Sequence, residues 1–434
     1  MTATILLAIV SLAGNGVPAR SFVVSTTGSD ANGGTADRPF RTIQKGIDAL
    51  GVGDRLTIKG GTYNEYLVLK NSGLYFDRSI VIEGDSGSRV IIDPVGVSKP
   101  AGVRGAIDTN GADHLVIKNL KVRNSPDCGI AVRGSWDVRL EDCTTTNSSF
   151  SGVFIDKAHK VDASKVDVEK ACMLGGEESV SIKRSTDVTF RDSLVHDTNH
   201  EGIDVKEGSK HVRVLRNRVW NVERQGLYAD AWESETFDIR FDANIVYNCM
   251  VGLVACSETG GLLRDVWFTN NVVYDCRGPG MMLAKWGDQS KSHPIRNVYY
   301  LNNTVVNCGN GGKMRDWGGG MLLENDQAEN VVVMNNILSS NPQGQLRKNH
   351  LKLVPKKLTI ANNLIDGPSE RFGAANIYGQ PSFLDFKGRD LRLGPTSAAI
   401  DAGKWRSDLG TRDAAGVDRR RGKQVDIGAY EFRG

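Results

Sequence analysis

Asp204, Lys206 and Asp230, with Glu258 further along, are the residues whose types and spacing point to chemistry. Each aspartate stands at a set place after a glycine: Gly202-Ile203-Asp204-Val205-Lys206 and Gly226-Leu227-Tyr228-Ala229-Asp230. Carboxyl groups a few ångströms apart suit acid–base cleavage of a glycosidic bond, one protonating the leaving oxygen and another activating water. Asp204, Asp230 and Glu258 are the expected acid and base. Lys206 offers a second chemistry, proton abstraction for β-elimination on a uronate, provided that its pKa is lowered. Around them lie Glu201, Lys183, Tyr228, Trp232, Lys285 and Trp286, the expected substrate-binding set: charged groups that meet hydroxyls and rings that stack on a pyranose. The acid–base reading needs no cofactor. Ca²⁺ is an option, since Asp204, Asp230 and Glu258 supply several of the six to eight oxygens it takes. No Cys/His pairs at zinc-ligand spacing occur.

What must position these groups is a repeat. The Gly-led segment recurs as Gly129-Ile130-Ala131-Val132-Arg133, Gly152-Val153-Phe154-Ile155-Asp156, Gly252-Leu253-Val254-Ala255-Cys256, Gly280-Met281-Met282-Leu283-Ala284 and Gly320-Met321-Leu322-Leu323-Glu324. Ser179-Val180-Ser181-Ile182-Lys183 fits the same frame. A period of roughly 23–40 residues marks a stacked solenoid. Within each unit the first and third residues after the Gly are apolar and the others vary, which is a strand with one buried face. The outward second position then reads Ala131, Phe154, Ser181, Asp204, Tyr228, Val254, Met282, Leu322. The fourth reads Arg133, Asp156, Lys183, Lys206, Asp230, Cys256, Ala284, Glu324, so titratable groups gather over residues 181–232. With rungs roughly 4.8 Å apart and two strand residues roughly 6.6 Å apart, Asp204 and Asp230 fall about 8 Å apart. That separation lies within the roughly 6.5–9.5 Å of an inverting pair. These groups are expected to open into a lateral groove.

A second phase carries asparagine at a corner, as in Ile117-Lys118-Asn119, Asn270-Asn271, Asn302-Asn303, Asn335-Asn336 and Asn362-Asn363. Asparagine tolerates the left-handed corner and can stack its amide on the next rung. Thr42–Leu50 has apolar residues at helical spacing and is expected to cap the first rung, because an open end exposes core. Cys249, Cys276 and Cys308 share one phase, and Cys128 sits similarly, so a reduced, buried column is expected in place of disulfides.

The repeat, the Asn-Asn corners and the opening Ser25-Thr26-Thr27-Gly28-Ser29-Asp30 and Pro39-Phe40-Arg41-Thr42-Ile43-Gln44 resemble the right-handed parallel β-helix (pectate-lyase-like) superfamily. That group includes pectate lyases, polygalacturonases, alginate and chondroitin lyases and related epimerases. The tail, with Ala399-Ile400-Asp401-Ala402-Gly403 and Val425-Asp426-Ile427-Gly428-Ala429-Tyr430-Glu431, is similar to the closing segment of many bacterial members. The resemblance implies an exported, carbohydrate-directed protein; the reaction it leaves open, because one fold hosts many chemistries.

The expected organisation is all-β: a signal peptide over residues 1–19, an N-terminal cap and first coils over 20–105, a parallel β-helix core with the site over 106–379, and a C-terminal closing segment over 380–434. The apolar start is too short to span a bilayer, and Val17-Pro18-Ala19 offers a cleavage site, so the expected location is secreted or periplasmic. A net charge of +3 and the lack of aromatic–basic tracts argue against nucleic acid as partner. Arg419-Arg420-Arg421 reads as solvated surface or cap contacts. The expected function is cleavage of glycosidic bonds in a polysaccharide or oligosaccharide, by hydrolysis ahead of Lys206-dependent elimination. A non-catalytic glycan-binding protein and a uronate epimerase are the alternatives.

Overall fold

Alternation of buried and outward residues, broken by corners every few residues, winds this chain into a parallel β-solenoid. The structure is a computed structural model that describes residues 18–74, 78–287, 293–311, 317–348, 355–370 and 373–434. Most of the expected signal peptide, residues 1–17, lies outside the described residues. Among the described residues, parallel sheets of 13, 11 and 13 strands run the length of the molecule. One rung at its centre runs Ile203–Lys206, Lys210–Leu215 and Arg218–Val222, and the next begins with Gln225–Asp230. Ile203–Lys206 and Gln225–Asp230 are neighbours in the eleven-stranded sheet, hereafter the site sheet.

The register follows the repeat. Ser181, Asp204, Tyr228, Val254, Met282 and Leu322 are successive partners, one per rung. The inward residues between them, such as Ile203, Val205, Leu227, Leu253 and Met281, are fully buried in one continuous core. Phe241, Phe268 and Tyr300 stack inside it with ring centroids 4.9 Å apart at each step. The repeated glycine has a packing cause. A Cβ on Gly202 would lie 2.5 Å from the Gly226 carbonyl oxygen and 2.7 Å from Val219 Cγ1, so rungs meet too closely at this corner for any side chain.

The asparagine doublets divide their work. The first residue turns the corner in the left-handed region, with φ of 58° at Asn270, 51° at Asn302 and 58° at Asn335. The second points inward and forms a ladder. Asn271 donates its backbone and side-chain N–H groups to Asn303 Oδ1, both at 3.0 Å, and Asn303 does the same to Asn336. The ladder spans Asn217, Asn244, Asn271, Asn303, Asn336 and Asn363.

At the first rung the helix Ile43–Ala49 covers the core with Ile43 and Ile47, as expected. Thr42 caps it, and the Glu65 carboxylate accepts from the Ile43 and Gln44 amides. All seven cysteines are free and buried, and Cys249, Cys276 and Cys308 form the expected column. Cys128 is different: it packs outward with Ala131 and Phe154. The C-terminal segment runs along the flank. Its backbone carbonyls accept from Arg240, Asn270, Asn302 and Asn335. Arg419 is not solvated surface; it is fully buried on Glu431. No helix among the described residues is long and apolar enough to cross a membrane.

Candidate functional site

On the outer face of the site sheet the sequence expectation holds in register and fails in exposure. Asp230 stands one rung on and two residues along from Asp204, because Asp204 pairs with Tyr228. Lys183 and Lys206 are direct partners one rung apart. The face is not an open furrow, however. Asp204 and Asp230 are each 2% exposed. Downstream, the outward side chains Tyr228, Val254, Cys256, Met282, Ala284 and Leu322 form an apolar cluster of their own, packed by Met250, Trp286 and Trp317. The cover comes from connecting segments, whose lengths vary and leave no period in the sequence.

Two nodes of chemistry lie on this face. In the first, the Lys206 ammonium binds Glu178, which also accepts from Ser181 Oγ at 2.8 Å. Asp204 Oδ2 is 3.9 Å from the same ammonium, and Asp204 Oδ1 is buried with no protein partner. Burial pushes the Asp204 pKa well up; Lys206 opposes this, while the charges of Glu178, Asp230 and Glu201 add to it. For Lys206 burial alone would lower the pKa, yet Asp204 and Glu178 outweigh it and the net shift is upward. The lowered pKa that a Lys206 base requires is therefore absent: its ammonium is clamped among carboxyl groups.

In the second node, Glu258 accepts from Tyr228 Oη at 2.6 Å and from the Trp232 indole N–H at 3.3 Å. Both of its oxygens are engaged. Asp230 beside it accepts from the Trp232 backbone N–H at 3.2 Å. Burial, with the Glu258 charge adding to it, raises the Asp230 pKa to about 8. Trp232 is 42% exposed and bonds both acids, Glu258 through its indole and Asp230 through its backbone. It holds φ at 44°, a strained place for so bulky a residue.

The other expected binding residues divide. Tyr228 is covered, its ring edge-on to Trp286 at 5.6 Å, so it orients Glu258 and offers no sugar platform. Trp286 is half-buried between Tyr228 and Trp317. Lys183 lies over the Phe154 ring at 5.1 Å. Lys285 is partly exposed beyond the Met281–Leu283 strand. Glu201 is buried, paired with His200 and, at 3.1 Å, with Arg224. Burial would raise its pKa, but the His200 contact and the Arg224 charge hold it down. Glu178 was missed because it precedes its strand, outside the repeating frame. Its only sequence signal is Glu177-Glu178 beside a frame position filled by Ser instead of Gly.

The three carboxyl groups expected to offer oxygens to Ca²⁺ have other partners here. Among the described residues no three Asp, Glu, His or Cys side chains are grouped so that they could hold a metal ion. Asp204 is turned to Lys206, and Glu258 is taken by Tyr228 and Trp232.

Residues 22–251 match the family described as Pel9A-like, right-handed β-helix region, and the chain belongs to that family. Residues 263–365 match a second one, described as disaggregatase related. A pectate lyase, PEL9, of Emericella nidulans is 27% identical over 231 residues, which are 50% of this chain and 50% of that enzyme. The match thus spans half the length of that relative. Among solved structures, XylC in complex with xylose superposes with a TM-score of 0.64 at 11% identity, over 95% of this chain and 99% of that one. The pectate lyase Pel9A gives 0.52 at 13% identity, over 96% and 98%. At such identities the likeness is one of fold.

Proposed function

We propose that this member of the Pel9A-like β-helix family cleaves glycosidic bonds in a polysaccharide or oligosaccharide, by carboxyl acid–base hydrolysis on the outer face of the site sheet. The observation that carries the reading is the Asp230–Glu258 pair. Burial raises the Asp230 pKa to about 8, so it holds a proton at neutral pH, and Glu258 beside it accepts from Tyr228 and Trp232. A proton-holding acid beside a second, hydrogen-bonded carboxyl offers an acid and a base. Asp230 protonates the leaving oxygen, and Glu258 takes the proton of the attacking water. Trp232, the exposed ring hydrogen-bonded to Glu258, stacks on the sugar. Asp204, a buried acid with one unpartnered oxygen, donates a hydrogen bond to a substrate oxygen.

Elimination on a uronate polymer is the second reading, favoured by the similarity to a pectate lyase. It needs the Lys206 ammonium to give up its proton, against the upward shift of its pKa. A screen of acidic and neutral polysaccharides, with and without a chelator, decides between them. Hydrolysis yields new reducing ends without ultraviolet absorbance; elimination yields both. Saturable binding of a glycan without either product would overturn the enzymatic reading.

A further inference from the structure

Glu178 stands just before the Val180–Lys183 strand, its side chain nine-tenths buried. Both of its oxygens are engaged, Oε2 by Ser181 Oγ at 2.8 Å and Oε1 by the Lys206 ammonium. That ammonium makes a hydrogen bond to Glu178 but stands 3.9 Å from Asp204 and 4.0 Å from Glu207. Its hydrogen bond goes to Glu178, while Asp204 is held at ion-pair distance. Two buried carboxyl groups competing for a single cation do not both ionise cheaply, because each charge must leave water. The group that loses the cation keeps its proton.

We infer that Glu178 is a positioning residue: held by Ser181, it draws the Lys206 ammonium to itself and leaves the Asp204 carboxyl as a neutral hydrogen-bond donor. This role rests on the reading of the face as a glycan-cleaving site. The charged and titratable groups about Asp204 are Glu178 and Lys183 on the preceding rung, Lys206 on its own strand with Glu207 after it, Tyr228 and Asp230 on the next, and Glu201 before the strand. Lys206 is the cation at ion-pair distance from Asp204, and Glu178 is what diverts it. A neutral acid in such a place donates to an ether or hydroxyl oxygen, which a carboxylate cannot do.

The test replaces Glu178 by Gln. The ammonium then turns to Asp204, which ionises, and the donor is lost. On a cleaved polysaccharide, kcat at neutral pH falls about tenfold or more, and the optimum moves to lower pH by about one unit, the scale on which a tenfold change appears. A second readout needs no substrate. The carboxylic-acid infrared band that Asp204→Asn removes from the native protein at pH 7 is also missing from Glu178→Gln. It returns in Glu178→Gln/Lys206→Met, where no ammonium remains to ionise Asp204. A band that persists in Glu178→Gln, or a pH profile that does not move, overturns the inference. If no polysaccharide is cleaved, the functional reading fails, and the infrared series still decides the role of Glu178. If the single variant does not fold, Ser181→Ala decides instead: it releases the Glu178 carboxyl, so a weakened Asp204 band supports the inference and an unchanged band overturns it.

Discussion

A carboxyl that burial holds in its protonated form couples chemistry to stability, and Asp230 makes both testable. Its pKa in the folded chain is raised to about 8. Activity therefore declines as pH rises through about 8, and the basic limb of kcat/KM reports this group. Asp230→Asn lowers kcat/KM by about 10²–10⁴, the range of a lost general acid. Stability follows from the same shift, with a definite sign. Because the folded state holds the proton more tightly than the unfolded chain, the stabilisation is complete below the unfolded carboxyl pKa, about 4, and is lost as pH climbs to about 8. Urea unfolding at pH 5 and pH 8 should show the native protein weaker at pH 8 by a few kcal/mol, and Asp230→Asn should flatten that slope. The frame after each glycine makes Asp204 and Asp230 legible in the sequence, since their phase follows from the strand alone. Glu178 and the pairing that raises the Lys206 pKa are not legible there. A connecting segment places that carboxylate, and no period constrains such a segment.

The strands, their register and their corners follow from the two repeating phases, one marked by glycine and the other by asparagine. The asparagine phase fixes more than a turn. Asn303 accepts two N–H bonds from Asn271, donates to Asn336 Oδ1 at 3.0 Å and donates to the Phe268 carbonyl at 2.9 Å. It is fully buried, so Asn303→Ala strands several polar groups away from water at once. The expected cost is about 1–3 kcal/mol, the penalty for an orphaned buried donor or acceptor, read as a lower unfolding midpoint in urea. What the repeat does not encode is the cover over the outer face. An outward position is solvent-exposed only where nothing packs on it. Over Val254, Met282 and Leu322 something does, because Trp286 and Trp317 come from segments that interrupt the frame. Three consecutive outward apolar residues were the sequence signal for that cover, more telling than any single charged neighbour.

Across the whole molecule, the C-terminal segment ties distant rungs to one another. A solenoid otherwise holds each rung by its neighbours alone, so openings spread from rung to rung. Here one buried side chain spans that limit. Arg419 bonds Glu431 at 2.6 Å, Asn270 Oδ1 at 2.6 Å, and the Gly428 and Ala429 carbonyls at 3.0 and 3.1 Å. The loop it locks also receives Asn302 through the Asp426 carbonyl at 2.8 Å. Arginine suits the place, because its planar fork keeps its charge and serves several acceptors at once. Removing it leaves Glu431 buried without a cation, which costs about 3–5 kcal/mol where one partner of a buried pair is lost. Arg419→Ala should therefore free the tail from the flank, and hydrogen exchange should rise in the Leu263–Thr269 and Ile295–Leu301 strands beneath it. Exchange in the Ile203–Lys206 strand, which the tail does not touch through these bonds, should stay at the native rate. If Arg419→Ala leaves exchange along the flank unchanged, the segment packs there without tying rungs together.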